Sequence, residues 1–114
     1  MTLRVACAGA GFFSQFHTGS WQRIPDVDLV GVCDLDLDKA NAVGAPAYTD
    51  LDTMMAEVQP DVLDVVLPPV AHADAIRTAI SRGGLQAIIC QKPFCRDLEE
   101  AEAMVDLARE AGIP

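Results

Sequence analysis

Short apolar runs alternate along this chain with segments whose apolar residues recur at helical spacing. Leu3 to Ala8 is a compact apolar run that ends in glycines and reads as a first strand. Phe12 to about Gln22 follows the helical period, with Phe12 and Phe16 on one face, until Pro25 and Asp26 break it. Val27 to Cys33 reads as a second strand and leads into the acidic run Asp34, Asp36 and Asp38. Leu37 to Val43 is a short helix ended by Gly44 and Pro46, and Ala47 with Tyr48 forms a brief edge strand.

In the second half, Asp50 caps a helix whose apolar residues Leu51, Met54, Met55 and Val58 share one face. Met54 and Met55 are therefore core residues. Val62 to Leu67 reads as the next strand, stopped by Pro68 and Pro69. Val70 to Arg82 is helical, with Ala73, Ile76 and Ile80 in register and Gly83-Gly84 at its end. Ala87 to Cys90 is a further strand. Asp97 with Glu100 three positions on is a capping box for a last helix, whose expected buried face is Leu98, Ala101, Val105 and Ala108 and whose acids form a solvated face. Gly112 closes it.

The strands read as apolar throughout rather than alternating, as strands covered on both faces do. Alternating strands and helices imply right-handed crossovers, so the expected fold is α/β: a doubly wound, mainly parallel sheet with helices on both faces. At 114 residues the chain is one domain, 1–114. It stops just after a helix, where such a fold usually continues with another strand, and so reads as a piece of something longer.

Composition narrows the function. Hydrophobic residues make up 51% of the chain and aromatic ones only 5%, so Val, Leu, Ile and Ala must build the core. A net charge of −9 repels polyphosphate backbones and argues against nucleic acid as a partner. An anionic ligand must then be held by local backbone geometry. No apolar run approaches the roughly 20 residues of a membrane span, and the N-terminus lacks the layout of a signal peptide. Cys7, Cys33, Cys90 and Cys95 include no CxxC pair, and the first three lie in or at the ends of apolar runs. They read as buried reduced thiols, which points to the cytoplasm. Cys95 has no base or orienting partner in sight that would make it a nucleophile.

The first chemical feature is Gly9-Ala10-Gly11-Phe12-Phe13-Ser14, after a strand and at the opening of a helix. Gly9 permits a tight turn with an unusual backbone angle. Gly11 lets a pyrophosphate approach the main chain, and the N–H groups that follow, from Phe12 and Phe13 onward, face its charge. Ser14 replaces the third glycine of the dinucleotide fingerprint, small enough for close helix–strand packing and able to donate a hydrogen bond. Asp34 ends the second strand about 20 residues on, where an acid accepts from the ribose hydroxyls. A 2′-phosphate would meet Asp34, Asp36 and Asp38 with no nearby Arg, so the pattern favours NAD over NADP. These features make the doubly wound domain Rossmann-type. A methyltransferase also places a glycine loop after its first strand, but its loop usually carries an acid in or before the glycines, where this chain has Val5-Ala6-Cys7-Ala8.

Two further segments belong at the carboxyl ends of strands: Leu67-Pro68-Pro69, with His72 one turn into the next helix, and Gln91-Lys92-Pro93. Pro69 and Pro93 stiffen both loops. With Gly9-Ala10-Gly11, His17 in the first helix and Val32-Cys33-Asp34, these segments resemble the N-terminal domain of the glucose–fructose oxidoreductase/inositol dehydrogenase (Gfo/Idh/MocA) family along the whole chain. Gln91-Lys92-Pro93 is similar to that family's Glu-Lys-Pro signature.

The resemblance implies an NAD(P)-dependent oxidoreductase acting on a sugar, polyol or related hydroxyl/carbonyl compound. It implies that Lys92 is catalytic, facing nicotinamide and substrate. It also implies that Leu67, Pro68, Pro69, His72, Gln91 and Pro93 line the cofactor and that the Lys92–Pro93 bond is cis. By the same resemblance a C-terminal substrate domain, absent here, completes the site, and the parent is a homo-oligomer. The domain alone is then expected to bind NAD without turnover. Gln91 departs from the signature, because a neutral amide provides no charge to tune Lys92. His17 reads as a structural helix residue. A non-catalytic dinucleotide sensor or interaction module is the alternative, since it needs the glycine turn and Asp34 but not Lys92.

Overall fold

A computed structural model describes residues 2–114. In chain order the elements are β1 (Leu3–Ala8), α1 (Ser14–Arg23), β2 (Val27–Cys33), α2 (Leu37–Ala42), β3 (Ala47–Tyr48), α3 (Leu51–Val58), β4 (Val62–Val65), α4 (Pro69–Arg82), β5 (Ala87–Cys90) and α5 (Leu98–Glu110). The strands form one sheet in the order β3-β2-β1-β4-β5, and every neighbouring pair is parallel. The chain winds outward from β1 through β2 and β3, then crosses to the other side of β1 for β4 and β5. The reversal lies between β1 and β4, and it opens a crevice at their carboxyl ends.

Side chains that alternate along β1 feed two cores. Ala6 and Ala8 join Leu63 and Val65 of β4 under Met54, Met55 and Val58 of α3 and Ala75 and Ala79 of α4. Cys7 faces the other way, with Val32 and Val66, toward Ala40 of α2. Both sheet faces are covered, which is why β1 carries no polar alternation. A third cluster joins Ala73 and Ile76 of α4 to Met104 of α5. The small residues of β1 let helices approach closely, and the two methionines of α3 fill the remaining volume.

Local signals set the element ends. Asp50 accepts from the Thr53 N–H at 2.9 Å, and Asp97 from the Glu100 N–H at 2.8 Å. Only half of the expected capping box forms. The Glu100 carboxylate turns to the main-chain N–H and guanidinium of Arg96 instead of the Asp97 N–H. Pro69 takes the first helical position of α4, where its missing N–H costs nothing. The helix expected from Phe12 begins at Ser14, because residues 11–13 belong to the turn after β1.

The buried face of α5 differs from the expected one. Leu98 is 73% exposed and Val105 exposed, whereas Ala101 and Ala108 are half-buried as expected and Met104 is buried. Leu98 stands in the first turn, beyond the reach of the cluster that Met104 makes with α4. The buried stripe is therefore centred on Met104 and flanked by Leu107. β4 also departs from the all-apolar reading, since it carries the buried Asp64.

Candidate functional site

The glycine turn is built by the sheet beneath it. Gly9 has φ +110, and a Cβ there would stand 2.0 Å from the Val66 carbonyl oxygen, so no other residue fits between β1 and the end of β4. A Cβ on Gly11, by contrast, would meet nothing within 4 Å, because Gly11 lines an open crevice. The first glycine serves the fold and the second leaves room for a ligand. Ser14, in the place of the third fingerprint glycine, is buried and donates from Oγ to the Val66 carbonyl at 3.3 Å, tying α1 to the sheet. α1 begins without a side-chain cap, so its first N–H groups are open to an anion.

Asp34 leaves β2 half-buried and braces the same turn. Its Oδ2 accepts the Ala10 N–H at 2.9 Å and its Oδ1 the Asp36 N–H at 2.9 Å. Each carboxylate oxygen retains a further lone pair for a ligand hydroxyl. Asp36 is occupied in capping α2 through the N–H groups of Asp38 and Lys39.

Two cavities flank the turn and share Leu67. One, of about 410 Å³, is lined by Gly11, Phe13, Ser14, Val66, Leu67, Pro68, Gln91 and Lys92. The other, of about 300 Å³, includes Asp34, Leu35, Leu51 and Leu67. Together they trace a path across the carboxyl ends of β2, β1, β4 and β5. Lys92 and Asp34 stand at its two ends, with the glycine turn between them. Lys92 is exposed, and among the described residues its ammonium has no acidic partner. The Lys92–Pro93 peptide bond is cis, in line with the resemblance. Phe12 is exposed and packs edge-on against Phe16, outside both cavities, and Pro69 and Pro93 also fall outside them.

His72 departs from the expectation that it lines the cofactor. It is fully buried, with Nε2 2.7 Å from the Leu67 carbonyl oxygen and Nδ1 2.8 Å from that of Phe94. Each contact is a hydrogen bond when the facing nitrogen carries a proton. The ring packs behind the crevice between the loop after β4 and the loop after β5, and as a neutral imidazole it donates to one of the two carbonyls. Its position one turn into α4, at the sheet end of the helix, turns it inward.

A polar cluster beside the crevice was not apparent from the sequence. Asp64 in β4 is 1% exposed, and its Oδ2 accepts from His17 Nδ1 and Trp21 Nε1, each at 2.8 Å. His17 Nε2 lies 3.2 Å from Gln91 Nε2, and Gln91 Oε1 accepts the Lys92 N–H at 2.8 Å. His17 thus links α1 to β4 and to the loop after β5. The available signal was an acid inside the apolar run Val62-Leu63-Asp64-Val65-Val66, a burial that only a paired carboxylate tolerates.

All the cysteines are free, Cys7 and Cys33 buried and Cys90 and Cys95 half-buried. Burial above all, with help from nearby acids, pushes Cys33 and Cys90 up to about 11 and Cys7 higher still. No cluster of potential metal ligands occurs among the described residues.

Comparison with known proteins bears on this geometry. Residues 3–113 match the Gfo/Idh/MocA profile, described as an oxidoreductase family with an NAD-binding Rossmann fold. The chain belongs to the Gfo/Idh/MocA family. It is 34% identical over 114 residues to D-apiose dehydrogenase of Paraburkholderia graminis, covering 96% of this chain and 30% of that protein. It is also 34% identical over 116 residues to D-glucoside 3-dehydrogenase of Escherichia coli K12, covering 96% of this chain and 32% of that protein. The chain therefore spans about a third of the length of these relatives. The structure of an oxidoreductase from Agrobacterium radiobacter in complex with NAD+, L-tartaric acid and magnesium superposes with a TM-score of 0.92. That match has 28% identity and covers all of this chain and 34% of the other.

This Gfo/Idh/MocA chain is the NAD-binding Rossmann domain of its family. Its residues fit the dinucleotide. Gly11 leaves the approach open where a side chain would fill it, the start of α1 is uncapped, and Asp34 has lone pairs to spare. No helix among the described residues is long and apolar enough to cross a membrane.

Proposed function

We propose that this domain serves, within a longer polypeptide, an NAD-dependent dehydrogenase that interconverts a hydroxyl and a carbonyl group on a sugar, polyol or related compound. The relatives named as dehydrogenases of D-apiose and D-glucoside support that substrate class. Asp34, Asp36 and Asp38 around the ribose end favour NAD over NADP, because they would repel a 2′-phosphate.

The observation that carries the reading is Lys92, an ammonium without an acidic partner among the described residues, on the wall of the crevice that Gly11 opens. When bound, the nicotinamide supplies the hydride acceptor for oxidation, or the donor for reduction. Lys92 donates a hydrogen bond to the reacting oxygen and stabilises the negative charge that grows there. Leu67 and Pro68 form an apolar wall that limits water beside it. The remaining acid/base groups and the substrate pocket are assigned to the rest of the polypeptide, so the isolated domain binds cofactor without turnover.

Lys92→Ala in the full-length gene product tests this reading. Loss of turnover by a factor of about 10² or more, with NAD binding retained, is the expected result. Unchanged turnover contradicts the catalytic role. A full-length protein that binds NAD and oxidises no hydroxyl compound supports a dinucleotide sensor instead.

A further inference from the structure

One backbone donor fixes the direction of every hydrogen bond in the cluster beside the crevice. The Lys92 N–H can only donate, and it points at the Gln91 side chain at 2.8 Å, so the atom facing it is the amide oxygen. The amide nitrogen of Gln91 is then the group that faces His17 Nε2 at 3.2 Å, and it too can only donate. His17 Nε2 must accept, which leaves the ring proton on Nδ1. That proton points at Asp64 Oδ2, 2.8 Å away, which also accepts from Trp21 Nε1. The buried carboxylate thus orders the imidazole, the imidazole orders the amide, and the amide holds the main chain at Lys92.

We propose that His17 is a positioning residue for Lys92, with its proton on Nδ1, oriented by Asp64 and acting through the Gln91 amide. The proposal rests on the reading of Lys92 as catalytic, but the hydrogen-bond chain stands or falls separately. It also gives a reason for Gln91 where the family signature has Glu. An amide satisfies the Lys92 N–H and an unprotonated Nε2 together. A carboxylate at 91 would turn lone pairs toward both groups and require a proton on Nε2. Apart from Asp64, the groups around His17 are aromatic or neutral: Phe13, Phe16, Ser20, Trp21, Ile89 and Gln91 line the same cavity of about 370 Å³.

Long-range nitrogen–proton NMR correlation on the ¹⁵N-labelled chain reads the ring directly. His17 is expected with a protonated Nδ1 and a bare Nε2, and Gln91→Glu is expected to bring a proton to Nε2, because the new carboxylate can only accept. His17→Asn is the discriminating variant. Its amide can still donate to Asp64, so the buried acid stays paired, but it offers nothing where Nε2 stood. Positioning predicts that His17→Asn speeds water exchange of the Lys92 amide by roughly tenfold with the melting temperature little changed. A proton on His17 Nε2 in the unaltered chain, an unchanged ring state in Gln91→Glu, or an unchanged Lys92 exchange rate in His17→Asn overturns the proposal. These readouts need no substrate. Normal turnover in a Lys92→Ala protein would refute the catalytic role and leave the hydrogen-bond chain intact.

Discussion

Asp34 Oδ2 accepts the Ala10 N–H at 2.9 Å, so the acid at one end of the path, proposed to meet the ribose, also braces the glycine turn. The same carboxylate takes the Asp36 N–H on its other oxygen. Asp34→Ala therefore removes a ligand contact and two turn contacts together. It is expected to weaken NAD+ binding by about 2 kcal/mol and to narrow the preference over NADP+. Parallel titrations with the two dinucleotides measure both effects. A variant that keeps both affinity and preference would show that Asp34 is a loop acid alone.

The two glycines of the turn are expected to separate under the same substitution. Gly9→Ala forces a methyl group against the Val66 carbonyl at a positive φ, and should cost about 3 kcal/mol of stability or prevent folding. Gly11→Ala meets nothing in the fold, so its melting temperature should match that of the unaltered chain while NAD+ binding falls by tenfold or more. Equal thermal losses in both variants would contradict this division of roles.

Asp64→Ala leaves the Trp21 Nε1–H and the His17 Nδ1–H without their acceptor. A loss of about 3 kcal/mol in a urea melt is expected, because removing the buried acceptor leaves two donors unsatisfied. A change within a few tenths of a kcal/mol would mean that water takes the place of the carboxylate.

The cysteines should label slowly. A thiol at about 11, as for Cys33 and Cys90, carries about a hundredfold less thiolate at pH 8 than an ordinary cysteine at 9. Because the thiolate is the reactive form, alkylation by iodoacetamide should rise tenfold per pH unit through pH 10 and level off near 11. Rapid labelling of Cys90 at pH 7 would contradict its burial.

The parts of the site legible in the sequence are those built from neighbours along the chain. Gly9 to Ser14 and Asp34 declare themselves as candidates by composition beside a strand end, and Gln91-Lys92-Pro93 by its place after a strand and its likeness to the family signature. The topology then follows from the alternation of strands and helices. The parts that were not legible depend on which distant elements meet. Asp64 and His17 are 47 positions apart, and His17 and Gln91 are 74 apart. No local period brings them together. His72 could be placed at the mouth of the crevice from its spacing, but only the fold shows that its ring turns inward to the Leu67 and Phe94 carbonyls. The face of α5 was misplaced for a related reason. Leu98 satisfies the helical period, yet its turn lies beyond the cluster that receives Met104.

The most direct test is a calorimetric titration of the 114-residue chain with NAD+ and, separately, with NADP+. The account predicts saturable binding of NAD+ in preference to NADP+, and loss of that binding in Gly11→Ala with the fold intact. Binding of neither dinucleotide at millimolar concentration by a folded chain would contradict it.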